Sequence, residues 1–209
     1  MKNIIRSFAL VSLIFSTHLV HSFDEVPQFT FFHDVSQFDV AGVKLGMTVK
    51  EAEAAIKSKL NVTDADIRRG FPQKNRVTNT EEYSYFNVTK GNMEITISLT
   101  PAIPPNAEDP MVVSLVSFKM PRTPENMANM QKLAFEKYGK PSNGVRKADR
   151  EFTSYKWCYV EESKRSLGCV HSTGAIIRLD PPQIQMSDNS YNKAVVDYLN
   201  KQDSSTPQF

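Results

Sequence analysis

The sequence predicts an α+β fold, with helices packed on one face of an antiparallel sheet. Three observations carry that expectation. Ala52, Ala55, Ile56 and Leu60 recur at helical spacing behind a Thr48/Glu51 capping-box pair. Met93, Ile95, Ile97 and Leu99 alternate with Glu94, Thr96 and Ser98, the period of two of a sheet with one solvated face. The order of helix and then strands begins again at Thr123-Pro124. Two degenerate helix-plus-strands repeats, over residues 38–121 and 122–186, are therefore expected within one α+β domain spanning 38–202.

The elements follow in order. Residues 1–22 read as a cleavable export signal. Lys2 and Arg6 give a positive start, residues 9–15 are apolar, and Val20-His21-Ser22 offers a cleavage point. Spanning a bilayer takes ~20 apolar residues, and Ser16, Thr17, His18 and His21 interrupt the run well short of that. No membrane span is expected. No Cys precedes Cys158, so no lipid anchor is expected either. Residues 23–37, with Phe29, Phe31 and Phe32, read as an N-terminal arm or edge strand. Residues 38–48 read as a short strand-like approach to the first helix, with Gly46 allowing a tight turn before the cap.

The first helix should end near Leu60. Residues 61–79 are polar and basic and read as a loop or a short second helix. Strands are expected over 81–89, 92–100 and 111–120, the first two joined by a turn at Lys90-Gly91 and the last two by a Pro-rich connection. Thr123 then caps a helix with Pro at its first position. Met127, Met130, Leu133, Ala134 and Tyr138 form its apolar face, and Gly139 with Pro141 ends it. Strands over 152–160 and 167–179 and a helix over 190–201 complete the domain, with Ala194, Val195 and Leu199 inward. Residues 203–209 read as a frayed tail.

Charge narrows the function. Lys2 and Arg6 leave with the signal, so 23 basic residues face 23 acidic ones in the mature chain. Nucleic-acid binding runs on a concentrated positive field, so that class of partner is not expected. Export also bears on the cysteines. Cys158 and Cys169 are the only two, and an even count in an oxidising compartment favours a disulfide. With residues 161–166 as a hairpin loop, Cys158 would face Cys169 across an antiparallel pair, within disulfide reach.

Catalytic motifs are missing. No Gly-x-Ser-x-Gly elbow, His-Glu-x-x-His pair or phosphate loop occurs. His33 and His171 are the histidines left after export; His33 reads as a loop residue and His171 as a packing or surface residue. Asp64 and Asp66 lack the further acids of a calcium loop. No metal and no cofactor are expected. Asn61 and Asn87 each begin an Asn-Val-Thr glycosylation acceptor pattern. The densest charge run is Arg68, Arg69, Lys74 and Arg76 around Phe71, which reads either as a solvated loop or as a contact patch for an acidic partner anchored by Phe71.

Residues 43–52 (Val-Lys-Leu-Gly-Met-Thr-Val-Lys-Glu-Ala) are the most telling stretch. A Gly-Met-Thr turn capping an amphipathic helix ahead of antiparallel strands resembles the SmpA/BamE outer-membrane assembly family. It is also similar to the β-lactamase-inhibitor-protein architecture, in which a helical segment and a sheet occur in tandem. The stretch around Leu133 and Tyr138-Gly139-Lys140-Pro141 resembles the helix exit of such exported proteins. These families work by binding proteins, so the resemblance implies no catalytic residues. The lipid-attachment Cys of the assembly family is missing, so anchoring is not implied. Together, the expectation is an exported, soluble, non-enzymatic protein of the cell envelope, periplasmic or secreted, that binds an envelope protein. Alternatives are an inhibitor or immunity protein, or a periplasmic binder of a lipid or cell-wall fragment with Tyr83, Tyr85 and the leading phenylalanines lining its groove.

Overall fold

The computed structural model describes residues 34–145 and 154–205. The expected export signal, His33, the phenylalanines at 29, 31 and 32 and the last four residues lie outside them. Of the leading arm, only residues 34–37 are described. They form a turn rather than an edge strand, tied by the Asp34 carboxylate, which accepts from Ser36 and Gln37. These bonds hold Asp34 below the ordinary carboxylate range. Residues 38–48 make two single bridges, Val40 with Val43 and Thr48 with Val112, in place of a strand.

Helix α1 spans Val49–Leu60 and starts where the capping pattern places it. The Thr48 amide donates to Glu51 Oε2 at 2.8 Å and the Glu51 amide to Thr48 Oγ1 at 3.3 Å. Asn61 closes the helix in the left-handed region. Ala52 and Ile56 are fully buried beneath it. Gly46 is required twice over. Its φ of +79° disfavours any side chain, and a Cβ there would lie 2.7 Å from the Tyr191 hydroxyl.

Strands β1 (Ile67–Arg69) and β2 (Gln73–Lys74) follow, so 61–79 carries short strands and one 3-10 turn instead of a second helix. The expected strand over 81–89 is broken at Tyr83-Ser84 into β3 (Glu81–Glu82) and β4 (Tyr85–Lys90). β3 leaves the main sheet to pair with β2. β5 (Met93–Pro101) and β6 (Met111–Lys119) match expectation closely. The turn is Gly91-Asn92, since Lys90 still pairs with Met93. A register shift falls between Ser98 and Leu99, opposite Ser114. This β-bulge lets Val113 and Val116, three residues apart, both reach the core.

Helix α2 (Pro124–Tyr138) is capped by Thr123 Oγ1, which accepts from the Asn126 amide. Met127, Met130, Ala134 and Tyr138 are buried, but Leu133 is 62% exposed, a correction to the expected apolar face. β7 (Asn143–Val145), β8 (Ser154–Cys158), β9 (Ala175–Asp180) and β10 (Gln183–Asp188) follow. β10 is absent from the sequence-based expectation, yet it sits at the centre of the sheet. Helix α3 (Asn189–Ser205) continues past Asp203 into the stretch expected to be a frayed tail. It contacts β5 and β6, and Tyr191 packs against the core.

Eight strands form one antiparallel sheet in the order β1-β4-β5-β6-β10-β9-β8-β7. Each half of the chain supplies a helix and four of these strands, added from an outer edge towards the centre, and the halves meet at β6 and β10. α1 and α2 pack on one face. One core runs through both halves, with Phe86, Ile95, Ile97, Val116, Ile177, Leu179 and Met186 at its middle. In the second half it carries an aromatic run. Trp157 is fully buried and stands 5.6 Å from Tyr138 and 5.9 Å from Phe135, ring centre to ring centre. Its indole N–H donates to Gly139 O, meeting the helix exit.

The disulfide forms, with Cα atoms 5.8 Å apart, but by a different route from the one expected. Cys158 pairs across the sheet with Ile176, not with Cys169. Residues 162–171 wind into 3-10 turns instead of a hairpin loop and strand, and Gly168 at φ +61° bends them so that Cys169 returns to β8. The strand expected from 167 begins only at Ala175.

Candidate interaction surface

Alternation along each strand sends half of the sheet's side chains away from α1 and α2. The registers align these outward residues into rows that cross the strands. One row runs Arg68, Asn87, Thr96, Ser117, Gln185, Arg178, Lys156 and Asn143. A second runs Thr89, Glu94, Lys119, Gln183 and Asp180. A third runs Tyr85, Ser98, Leu115, Ser187 and Ile176. No residue of the first two rows is buried, whereas the third continues from Ile176 to Cys158, which is fully buried with Val160 and Cys169. The first two rows carry amides, hydroxyls and charges, and the third adds the apolar side chains of Tyr85, Leu115 and Ile176.

Its charges are unevenly placed. In the second row Glu94 lies directly opposite Lys119, and Asp180 adds a second carboxylate two residues along β9 from Arg178. In the first row the charged residues are Arg68, Arg178 and Lys156, all cations. Among the described residues neither Arg68 nor Arg178 stands in an ion pair. The Asn87 side-chain oxygen is buried in this row without a hydrogen-bond partner.

The basic cluster read from the sequence is dispersed by the fold. Arg69 turns to the helix side, where its Nε and Nη2 donate to the two Glu53 oxygens at 2.9 and 2.7 Å. Its guanidinium also lies 5.9 Å from the Tyr83 ring centre. Burial, helped by the Glu53 charge, raises the Tyr83 phenol above its ordinary range. Lys74 sits opposite Glu81 on β3, and Arg76 reaches Asp203 of α3 at 3.5 Å. Only Arg68 belongs to the open face. Phe71 projects from the loop after β1 and is 89% exposed. Beside it, Tyr85 lies flat on Gly70, where a Cβ would come within 2.7 Å of the ring. Phe71, Tyr85 and Arg68 thus cluster at one end of the face. Tyr83 and Tyr85 point to different sides of the molecule, so they do not line one groove.

Two of the concavities lie beside the helices. A cleft of about 230 Å³ between the start of α1, β3 and the 102–110 connection carries Glu53, Arg69, Tyr83, Glu108 and Asp109. An apolar groove of about 210 Å³ beside α2 is walled by Phe118, Met120, Met130 and Ile184. Lys137 at its rim is held by Asp39 at 2.7 Å. Burial alone would raise the Asp39 carboxyl, but Lys137 and the Gly42 amide bring it below the ordinary range. Asp64 pairs with Lys57, and Asp66 accepts from the Thr63 amide and hydroxyl, so both serve local structure. His171 ends the 3-10 segment, exposed to solvent. Among the described residues there is no group of side chains suited to hold a metal and no helix long and apolar enough to cross a membrane.

Sequence reasoning missed Gln185 because it missed β10, and missed the alignment of Arg178 with Lys156 because a row across strands has no local signature. The signal for β10 is short: Ile184 and Met186 alternate with Gln183, Gln185 and Ser187 after a Pro-Pro turn.

Fold and surface together define an α+β protein with α1 and α2 on one face of its sheet and rows of polar side chains on the other. No family model, curated protein or solved structure matches the chain.

Proposed function

We propose that this chain is an exported, non-enzymatic protein of the cell envelope that binds another protein through the open face of its sheet. The observation that carries the reading is the pair of polar rows that cross the sheet on the side away from α1 and α2, neither of them holding a buried residue. Interfaces of this kind need a flat or concave patch with hydrogen-bonding groups and a few anchors, and Tyr and Arg are over-represented among anchors. Tyr85, Arg68 and exposed Phe71 supply candidates at one end. The buried Cys158–Cys169 bond supports an oxidising compartment. The mirrored strand order supports an origin in two degenerate repeats, over 38–121 and 122–186.

Affinity capture from envelope extract tests the reading. The wild-type chain should recover one stoichiometric partner. So should Lys132→Glu, on the exposed surface of α2. A double variant that places bulky charge on the face, Ser117→Arg with Gln185→Arg, should recover none while keeping its circular dichroism. Recovery of no partner by the wild type, or equal recovery by the double variant, overturns the reading.

A further inference from the structure

β1 is the outermost strand at the first half's edge of the sheet, and its strand partner among the described residues is β4 alone. The ladder between them runs past the last residue of β1. The Gly70 amide donates to Tyr85 O at 2.9 Å, two residues on from the Arg68–Asn87 pair and in the same register. Main-chain bonding in an antiparallel pair alternates along each strand. Arg68 and Gly70 therefore turn their main-chain groups to β4, and Ile67 and Arg69 turn theirs outward. The Ile67 amide is taken by Asp64 O. The Ile67 carbonyl and the Arg69 amide and carbonyl have no partner among the described residues. They set one donor between two acceptors along an open edge, a pattern that an added strand satisfies.

Open edges are usually defended by charge or proline. Here the Arg69 guanidinium is folded back onto Glu53, and Pro72 comes after the outward groups and removes none of them. Aromatic rings stand at the edge. Tyr85 lies over Gly70 and remains part-exposed, and Phe71 is almost wholly exposed. Because Gly70 has no side chain, a residue of an added strand beside it meets the Tyr85 ring directly.

We infer that the partner is held by strand addition: an extended segment, carrying an aromatic side chain opposite Gly70, pairs antiparallel with β1 and lengthens the sheet. The inference rests on the proposed protein-binding role and specifies the segment that the partner presents. A second copy of this chain fits the edge less well. Two-fold pairing through Arg69 would set that residue against itself, a like-charge pair.

The probe is the peptide Thr-Val-Thr-Phe-Thr-Val-Thr, titrated into the isotope-labelled chain and followed by amide NMR. The Arg69 and Phe71 amides should shift, and exchange of the Arg69 amide with solvent should slow about tenfold or more at saturation. Antiparallel pairing places the threonine after the phenylalanine opposite Arg69. N-methylation of that threonine should abolish binding, and N-methylation of the phenylalanine should leave it intact. Serine in place of the peptide's phenylalanine, or Phe71→Ser in the protein, should weaken binding about fivefold. Arg69→Pro, which loses the outward donor, should bind about tenfold more weakly than Arg69→Ala, which keeps it. Lys132→Glu should bind as the wild type does. Circular dichroism on each variant separates lost binding from lost fold. No shift at Arg69 and Phe71, shifts confined to Thr96, Ser117 and Gln185, or equal effects of the two N-methyl groups overturns the inference. So does an Arg69 amide already protected without peptide, in the monomer or in a dimer. The capture experiment judges the protein-binding role separately: a partner lost with the Ser117/Gln185 variant but retained by folded Arg69→Pro keeps that role and removes strand addition.

Discussion

The two halves of the molecule solve the same problem with different chemistry. Each must hold a helix and a set of strands that step inward from an edge. The first half uses polar fasteners. A reciprocal capping box starts α1, and the Arg69–Glu53 fork ties edge strand β1 to that helix, with Tyr83 beside it. The second half uses bulk and covalency. Trp157 fills the space under α2 among Phe135 and Tyr138, and the Cys158–Cys169 bond clasps the 3-10 segment to β8. The edges explain the difference. β1 lies close enough to α1 for a side-chain fork. In the second half ten residues of 3-10 turns stand between β8 and β9. They form their own small cluster around Cys158, Val160 and Cys169, apart from the main core. A segment outside the core gains little from apolar burial, and a cross-link fixes it without needing any.

That contrast can be broken in three places, in decreasing order of effect. Trp157→Ala removes the largest fully buried side chain and leaves its cavity beneath α2. Unfolding by urea should show a loss of about 3–5 kcal/mol. A loss below that scale would mean the second half does not lean on its aromatic run. Replacing both cysteines by Ala opens a loop of 11 residues, and calorimetry should show a loss of about 2–3 kcal/mol on the chain-entropy argument. Capture of the partner should survive, because Cys158 and Cys169 are buried and stand outside the first row. Glu53→Ala unties the first half's fork. Glu53 is mostly buried and Arg69 over a third exposed, so denaturation should show only about 1 kcal/mol, shrinking further in high salt. A Glu53→Ala loss as large as that of the disulfide would erase the distinction between the halves.

Much of this fold was legible because its signals are local. The Thr48/Glu51 pair, Thr123 and Gly139 fix three of the four ends of α1 and α2 to within a residue or so, since capping depends on near neighbours in sequence. The alternation of 93–99 named the inward residues of β5 correctly. Where the structure departs from expectation, the deciding interactions are distant. The positive φ of Gly168 turns a would-be strand into 3-10 turns. β10 has only Ile184 and Met186 as apolar inward residues, too short a run to stand out, yet its neighbours β6 and β9 complete it. Leu133 fits the helical period but lies just past the edge of the packed stripe. The surface was the least legible part. Arg68, Gln185 and Arg178 come from distant stretches of sequence, and only the strand registers bring them into one row.

The seam between β6 and β10 has a consequence for how the chain folds. Every other pair of neighbouring strands in the main sheet joins residues from the same half, so each half can assemble from contacts close in sequence. β6 and β10 join residues such as Lys119 and Gln183, with all of α2 and three strands between them. Closing so long a loop carries the largest entropic penalty of any strand pairing in the sheet. The seam is therefore the rate-setting contact by topology. It also means that the row carrying Arg68 and Arg178 exists as one surface only after the two halves have met.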